Sequence, residues 1–212
     1  QVLYFCKKLQ DLPNLQIEGI FTHFADADGD IEFSKIQLER FKKVINELEK
    51  EDINIPIKSA AASAGIFNLP ESHFNMVRTG LAMLGINRNS KSVFSPEIRK
   101  VLTFKTEVVQ THDLQIGETV GYGRAFKVTR PSRIATLAVG YGDGFRRAPT
   151  NWGEVLNKGY RVPLAGRISM DQAAIDITEI HEVIRAGEEG VLIGKSGKEE
   201  ITVEEVADKL QT

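Results

Sequence analysis

The residues of this 212-residue chain best suited to chemistry fall in six short stretches. His23 sits near the end of the run at 16–24 (QIEGIFTHF). Ser63 follows the run at 55–61 (IPIKSAA). Arg78 lies within 74–80 (FNMVRTG), with Gly80 and Leu81 at its end. Tyr122 stands between two glycines in GYGR, and Tyr141 does so again in VGYGDG. Arg167, Met170 and Asp171 share GRISMD at 166–171. A serine hydroxyl next to glycines suits a phosphate, because a residue without Cβ lets backbone N–H groups come close to an anion. An arginine in a strand needs partners for its guanidinium if it is buried. Glycines beside a tyrosine leave the ring little cover and let other groups approach. Each feature also has an ordinary structural alternative: Ser63 and Gly80 as turn residues, His23 as a core histidine, Arg78 in an ion pair, the tyrosines as packed rings.

Several chemistries find no support. His23, His73, His112 and His181 are far apart in sequence, and there is no HExxH or CxxC spacing for a metal. Neither GxGxxG nor GxxxxGK[ST] follows a strand pattern, and no GxSxG elbow occurs.

These side chains need elements to position them. Up to about residue 87, apolar runs at 16–24, 55–61 and 74–80 read as strands. The stretch between the first two places Phe33, Ile36, Phe41, Val44, Ile45 and Leu48 at helical spacing. Ser34 and Gln37 are expected to cap that helix. Residues 64–68 are a candidate short helix. Strand alternating with helix implies parallel βα units. In a barrel of such units the polar residues at the strand C-termini form the site. Two and a half units leave an unpaired edge, so the expectation is part of a barrel whose other strands precede Gln1; a small open sheet is the alternative. From about residue 91, short strands at 103–111, 133–139, 161–164, 173–177 and 191–194 are separated by Gly and Asp turns, the pattern of an antiparallel β domain. Thr202 with Glu205 is expected to cap a closing helix that ends at Leu210. The boundary is expected at 87–95.

Composition agrees with a folded, uncharged-partner protein. Apolar residues make up 42% and charged residues 26%, and the net charge is -2, which favours neither nucleic acid nor a membrane surface. No apolar run approaches the roughly 20 residues of a membrane span. One cysteine, Cys6, cannot form an internal disulfide and fits a reducing, cytoplasmic setting.

Taken in order, FTHFADAD, SAG, NMVRTGLAMLG, TVGYGRAF, VGYGDGFRR and AGRISMDQ resemble the alanine racemase family across nearly the whole chain. The resemblance implies a fold of class α/β plus β: the last strands of a TIM-type barrel over residues 1–90, then a mainly antiparallel β domain over 91–212. It implies pyridoxal 5'-phosphate as cofactor, interconversion of L- and D-alanine by two acid/base groups, and a homodimer with shared active sites. Tyr122 resembles the family's acid/base tyrosine, His23 the histidine that hydrogen-bonds it, and Arg78 the arginine facing the cofactor's pyridine nitrogen. Ser63, Gly80 and Leu81 resemble the phosphate cradle. Met170 resembles the residue whose N–H meets the substrate carboxylate. Tyr141, Arg147, Arg167, Asp28 and Asp171 match positions lining the site and its entry. A tyrosine used as a base at neutral pH needs positive charge nearby, which a His23–Arg78 pair would bring.

The sequence departs from the family in three places. No lysine here has the context of the one that holds the cofactor and serves as second base; that strand would precede Gln1, so this chain alone is expected not to turn over. The family's late phosphate-binding tyrosine is missing before Thr212. Ala62 stands where an asparagine is usual. A broader-specificity or serine racemase of the same fold, and a non-catalytic relative, are the competing expectations.

Overall fold

The computed structural model describes residues 1–87, 98–148 and 153–212. They fall into two compact units, Gln1–Val101 and Leu102–Thr212. Most of the stretch expected as the boundary, 88–95, lies outside the described residues.

The first unit opens with helix α1 (Val2–Gln10), followed by strand β1 (Gly19–Phe21), helix α2 (Ile31–Lys50), strand β2 (Ile57–Ser59) and the short helix α3 (Ser63–Asn68). Asp30 starts α2: its carboxylate accepts from the Phe33 N–H at 2.9 Å. The expected caps do something else. Ser34 is buried and donates back to the Asp30 carbonyl at 3.0 Å, while Gln37 Oε1 accepts from Ala25 N at 3.0 Å, tying the loop before the helix. An acidic side chain one turn earlier wins the cap because it reaches an N–H that otherwise has no partner. Leu38, Phe41, Ile45 and Leu48 form the buried stripe of α2 at helical spacing, whereas Phe33 and Ile36 face outward. Phe41 also meets Phe74 edge to face, with ring centroids 5.4 Å apart.

Strands β1 and β2 pair in parallel, Gly19 with Ile57 and Phe21 with Ser59. This register puts His23 and Ser63 at the same end of the sheet. The expected third strand shrinks to one parallel bridge, Ala62 with Arg78. Phe74 has φ of 48°, which no strand residue adopts, and Asn75 takes over the pairing with its side chain: Oδ1 accepts from Lys58 N at 2.8 Å and Nδ2 donates to the Pro56 carbonyl at 2.6 Å.

In the second unit the strands are β3 (Phe104–Leu114), β4 (Thr119–Val120), β5 (Phe126–Lys127), β6 (Ser132–Leu137), β7 (Glu154–Asn157), β8 (Tyr160–Pro163), β9 (Ala173–Asp176), β10 (Glu189–Ser196) and β11 (Glu199–Ile201), before helix α4 (Val203–Leu210). The main sheet runs β8-β7-β10-β3-β6-β9, with every pairing antiparallel. A further bridge from Leu164, just past β8, to Ile175 in β9 joins the two ends, so the sheet closes on itself. Leu137, Phe145, Val155, Ile168, Ile175 and Leu192 fill its interior. Thr202 caps α4 as expected, its hydroxyl accepting from Glu205 N at 3.0 Å. The strand at Glu154–Asn157 has no alternating pattern: Val155, Leu156 and Asn157 are all fully buried, and such a run carries no period-two signal.

Candidate active site

At the shared end of β1 and β2 lies a cleft of about 450 Å³, lined among others by His23, Asp28, Ser63, Arg78, Gly80 and Leu81. Arg78 enters it from the backbone bridge to Ala62 and is held on several sides. Its Nη1 donates to Ser59 Oγ at 2.6 Å and its Nη2 to the Thr22 carbonyl at 2.9 Å. Nη2 also lies 3.1 Å from His23 Nδ1, and the guanidinium stands 5.2 Å over the Phe21 ring. Arginine only donates, so His23 accepts at Nδ1, and a proton on the neutral ring then sits on Nε2. The pairing thereby fixes which nitrogen of His23 is left to donate.

On the other side of the cleft, Ser63 Oγ accepts from the N–H groups of Gly80, at 3.0 Å, and Ala82, at 3.2 Å. A Cβ added at Gly80 would project toward Ser63 Oγ, 3.8 Å away, and meet nothing else within 4 Å. Glycine therefore leaves open the space beside this hydroxyl, whose oxygen accepts two N–H groups and whose own proton is left to donate. A hydroxyl proton close to a fixed guanidinium suits an anionic group such as the phosphate of pyridoxal 5'-phosphate.

The second unit gathers the remaining residues. Tyr122 stands on a one-turn 3-10 segment (Tyr122–Arg124) flanked by Gly121 at φ of 77° and Gly123 at φ of 72°. A Cβ at Gly121 would come 3.1 Å from Arg167 N, so only glycine lets this turn rest against the 166–167 backbone. The Tyr122 side chain is exposed, at 63% of its free surface, and so is accessible to a second molecule. The Tyr141 turn and the segment before Asp171 meet through their backbones: Tyr141 N donates to the Ser169 carbonyl at 3.0 Å and Gly142 N to the Met170 carbonyl at 2.8 Å. A Cβ at Gly140 would lie only 2.2 Å from the Met170 carbonyl oxygen. Asp171 Oδ1 is 3.7 Å from the equivalent point at Gly142. The Arg147 guanidinium stands 5.8 Å from the Tyr122 ring centre and 5.7 Å from that of Tyr141.

Thus His23, Asp28, Ser63, Arg78, Gly80 and Leu81 come together in one unit, and Tyr122, Tyr141, Arg147, Arg167, Met170 and Asp171 in the other. Ser59, Thr22 and Ala82 escaped the sequence reading. Ser59 left one usable trace: a fully buried serine at the end of a strand needs a polar partner. The other two act through their backbones, where side-chain identity says nothing.

Family models for the alanine racemase N-terminal domain and C-terminal domain match residues 1–88 and 101–212. Alanine racemases from Methanococcus maripaludis and Halothermothrix orenii are 42% and 40% identical over 209 residues, covering 97% and 98% of this chain. The chain spans 55% of the length of each. An alanine racemase of Clostridium difficile, solved in complex with cycloserine, superposes with a TM-score of 0.90 at 31% identity, covering 99% of this chain and 55% of its own. With both of its domain models matched and relatives at this identity along nearly its full length, the chain belongs to the alanine racemase family.

Proposed function

We propose that the protein is an alanine racemase that interconverts L- and D-alanine with pyridoxal 5'-phosphate, acting in the cytoplasm as a homodimer with shared sites. The observation that carries this reading is the cleft in which Arg78, anchored on Ser59, Thr22 and His23, faces a Ser63–Gly80 cradle. Ser63, Gly80 and Leu81 hold the phosphate, and Arg78 addresses the pyridine nitrogen. When bound, the cofactor draws electron density away from the substrate α-carbon, so that its proton can be removed. An arginine, unlike a carboxylate, leaves the pyridine nitrogen unprotonated and limits that withdrawal, which restrains side reactions such as transamination.

The chain's own residues do the rest. Tyr122, exposed on its unit, reaches the cleft of the partner subunit and moves the proton on one face of the α-carbon. His23, proton on Nε2, donates to the Tyr122 oxygen and keeps it oriented. Met170 N–H receives the substrate carboxylate, while Tyr141, Arg167 and Asp171 line the approach. Racemisation needs a second acid/base group on the opposite face, and among the described residues no lysine lines the cleft. The residues seen here therefore supply one of the two groups.

Tyr122→Phe in the full-length protein tests the reading. Phenylalanine keeps the ring and loses the hydroxyl, so racemisation should fall by about 10²–10⁴-fold with cofactor binding retained. Exchange of the α-proton with solvent deuterium should slow most for the enantiomer whose proton lies on the tyrosine's face, while kcat/KM for net racemisation should fall equally in both directions, because the two enantiomers are equal in free energy. Wild-type turnover of serine in preference to alanine would instead favour the serine-directed alternative.

A further inference from the structure

We infer that Arg147 is a positioning residue for Tyr122: one guanidinium spans the rings of Tyr122 and Tyr141 and holds the Tyr122 hydroxyl in a single orientation. The inference rests on reading Tyr122 as an acid/base group.

Apart from the His23 hydrogen bond proposed from the partner subunit, Tyr122 has little within its own unit to hold it. Its ring is exposed, and its turn consists of glycines on either side with Arg124 also at positive φ, 53°. Glycine fixes the path of this turn, but no neighbouring Cβ covers the ring. Arg147 supplies the missing contact. Its Cζ lies 5.8 Å from the Tyr122 centroid and 5.7 Å from the Tyr141 centroid, both inside the range where a cation is attracted by a ring face. The chain leading to the arginine is anchored. Two residues earlier, Phe145 is fully buried in the barrel core, and Phe145 N donates to the Gly140 carbonyl at 3.1 Å. Tyr141 is tied to Ser169 through its backbone N–H. The guanidinium therefore joins the exposed Tyr122 ring to the ring of a residue whose backbone is tied to Ser169. From the other side Arg167 packs along the same turn, with Nη1 3.4 Å from where a Gly123 Cβ would stand. Arg167 thus steadies the backbone, and Arg147 the ring.

A planar guanidinium can stack on two aromatic faces in a way that a neutral chain of similar length cannot. Arg147→Met keeps the aliphatic length and removes the cation; Arg147→Lys restores a cation without the plane. In the full-length enzyme, Arg147→Met should lower kcat for alanine by about tenfold, the size expected for losing two ring contacts. KM should change little, and Arg147→Lys should recover part of the loss. In a Tyr122→Phe background, Arg147→Met should produce no further fall in kcat, because its effect runs through the hydroxyl. Enzyme labelled with 3-fluorotyrosine gives a readout independent of turnover. The fluorine resonances of Tyr122 and Tyr141, assigned by Tyr→Phe substitution, should shift or broaden in Arg147→Met while that of Tyr160 stays in place, which also reports that the domain is folded.

A rise in KM with kcat unchanged would overturn the inference and make Arg147 a substrate contact. So would an unmoved Tyr122 resonance, or an equal kcat loss in the Tyr122→Phe background. If the wild type does not racemise alanine at all, the racemase reading fails, whereas the fluorine shifts still decide whether Arg147 orders the ring.

Discussion

Arg78 Nη2 approaches His23 Nδ1 to 3.1 Å while the same nitrogen donates to the Thr22 carbonyl at 2.9 Å and the guanidinium's other terminal nitrogen reaches Ser59. One planar group thus joins both parallel strands and sets the histidine's tautomer. A lysine in its place has a point charge on a flexible stem and cannot satisfy this fork. Arg78→Lys should lower kcat/KM by about 10²-fold, comparable to losing one preorganised donor. Arg78→Leu should in addition destabilise the protein by about 1–3 kcal/mol, because the buried Ser59 hydroxyl and the strand-end carbonyl lose their donor. Urea unfolding and steady-state kinetics separate the two effects.

Shared sites make a prediction about mixtures. If Tyr122 of one subunit serves the cleft of the other, a Tyr122→Phe chain and an Arg78→Leu chain, each nearly inactive, form heterodimers with one intact site. Random reassociation of equal amounts should recover roughly a quarter of wild-type activity, since half the dimers then carry one working site of two. Recovery near zero would mean that Tyr122 and Arg78 must come from the same chain.

Gly140 makes the closest approach among the site glycines. A Cβ there would stand 2.2 Å from the Met170 carbonyl oxygen and 2.3 Å from that of Ser169, both backbone atoms that cannot swing away. Gly140→Ala should push the Tyr141 turn off the Ser169–Met170 segment. Fit to the substrate carboxylate should suffer first, so KM for alanine should rise by about tenfold, a displacement effect rather than a lost functional group. A variant with wild-type KM and kcat would show that the two turns move independently.

The helix at the end of the second unit is tied to the barrel by charge. Arg161 in β8 donates to Glu205 in α4 at 2.7 Å, to Glu199 at 2.9 Å and to Glu154 at 3.1 Å, and Lys209 lies 3.1 Å from Glu205. The hydrogen bond from Arg161 holds the Glu205 carboxyl down at about 2, below its ordinary 4.5. Because the folded value is the lower one, the bond stabilises the protein fully above pH 4.5, and the stabilisation is lost as pH falls toward 2. Both side chains are partly exposed, so screening reduces the effect, and Glu205→Gln should cost about 1 kcal/mol at pH 7. Thermal unfolding of the two proteins should converge as pH drops from 4.5 to 2; a gap independent of pH would assign the loss to packing.

How much of this was legible beforehand depended on the kind of interaction. The helical stripe of α2 and the capped start of α4 follow from local spacing, and the chain needs nothing distant to form them. The strand texture and its turns announced an antiparallel second unit for the same reason. His23, Ser63, Arg78 and Tyr122 stood out because their types and glycine neighbours are unusual at strand ends and turns. Other features needed three dimensions. That Asp30 rather than Ser34 caps α2 depends on where the preceding loop turns. Asn75 replaces a strand with its side chain because Phe74 leaves the β region, a backbone choice that propensity does not report. The closure of the barrel through Leu164 and Ile175 and the meeting of Arg147 with two tyrosines join residues with no periodic relation in the chain. Sequence by itself determined the residue types and local patterns, because those depend on neighbours a few positions away. Only the tertiary structure decided which acceptors converge on Arg78 and which donors on Ser63, because a hydrogen bond depends on distances set by the packing of whole elements.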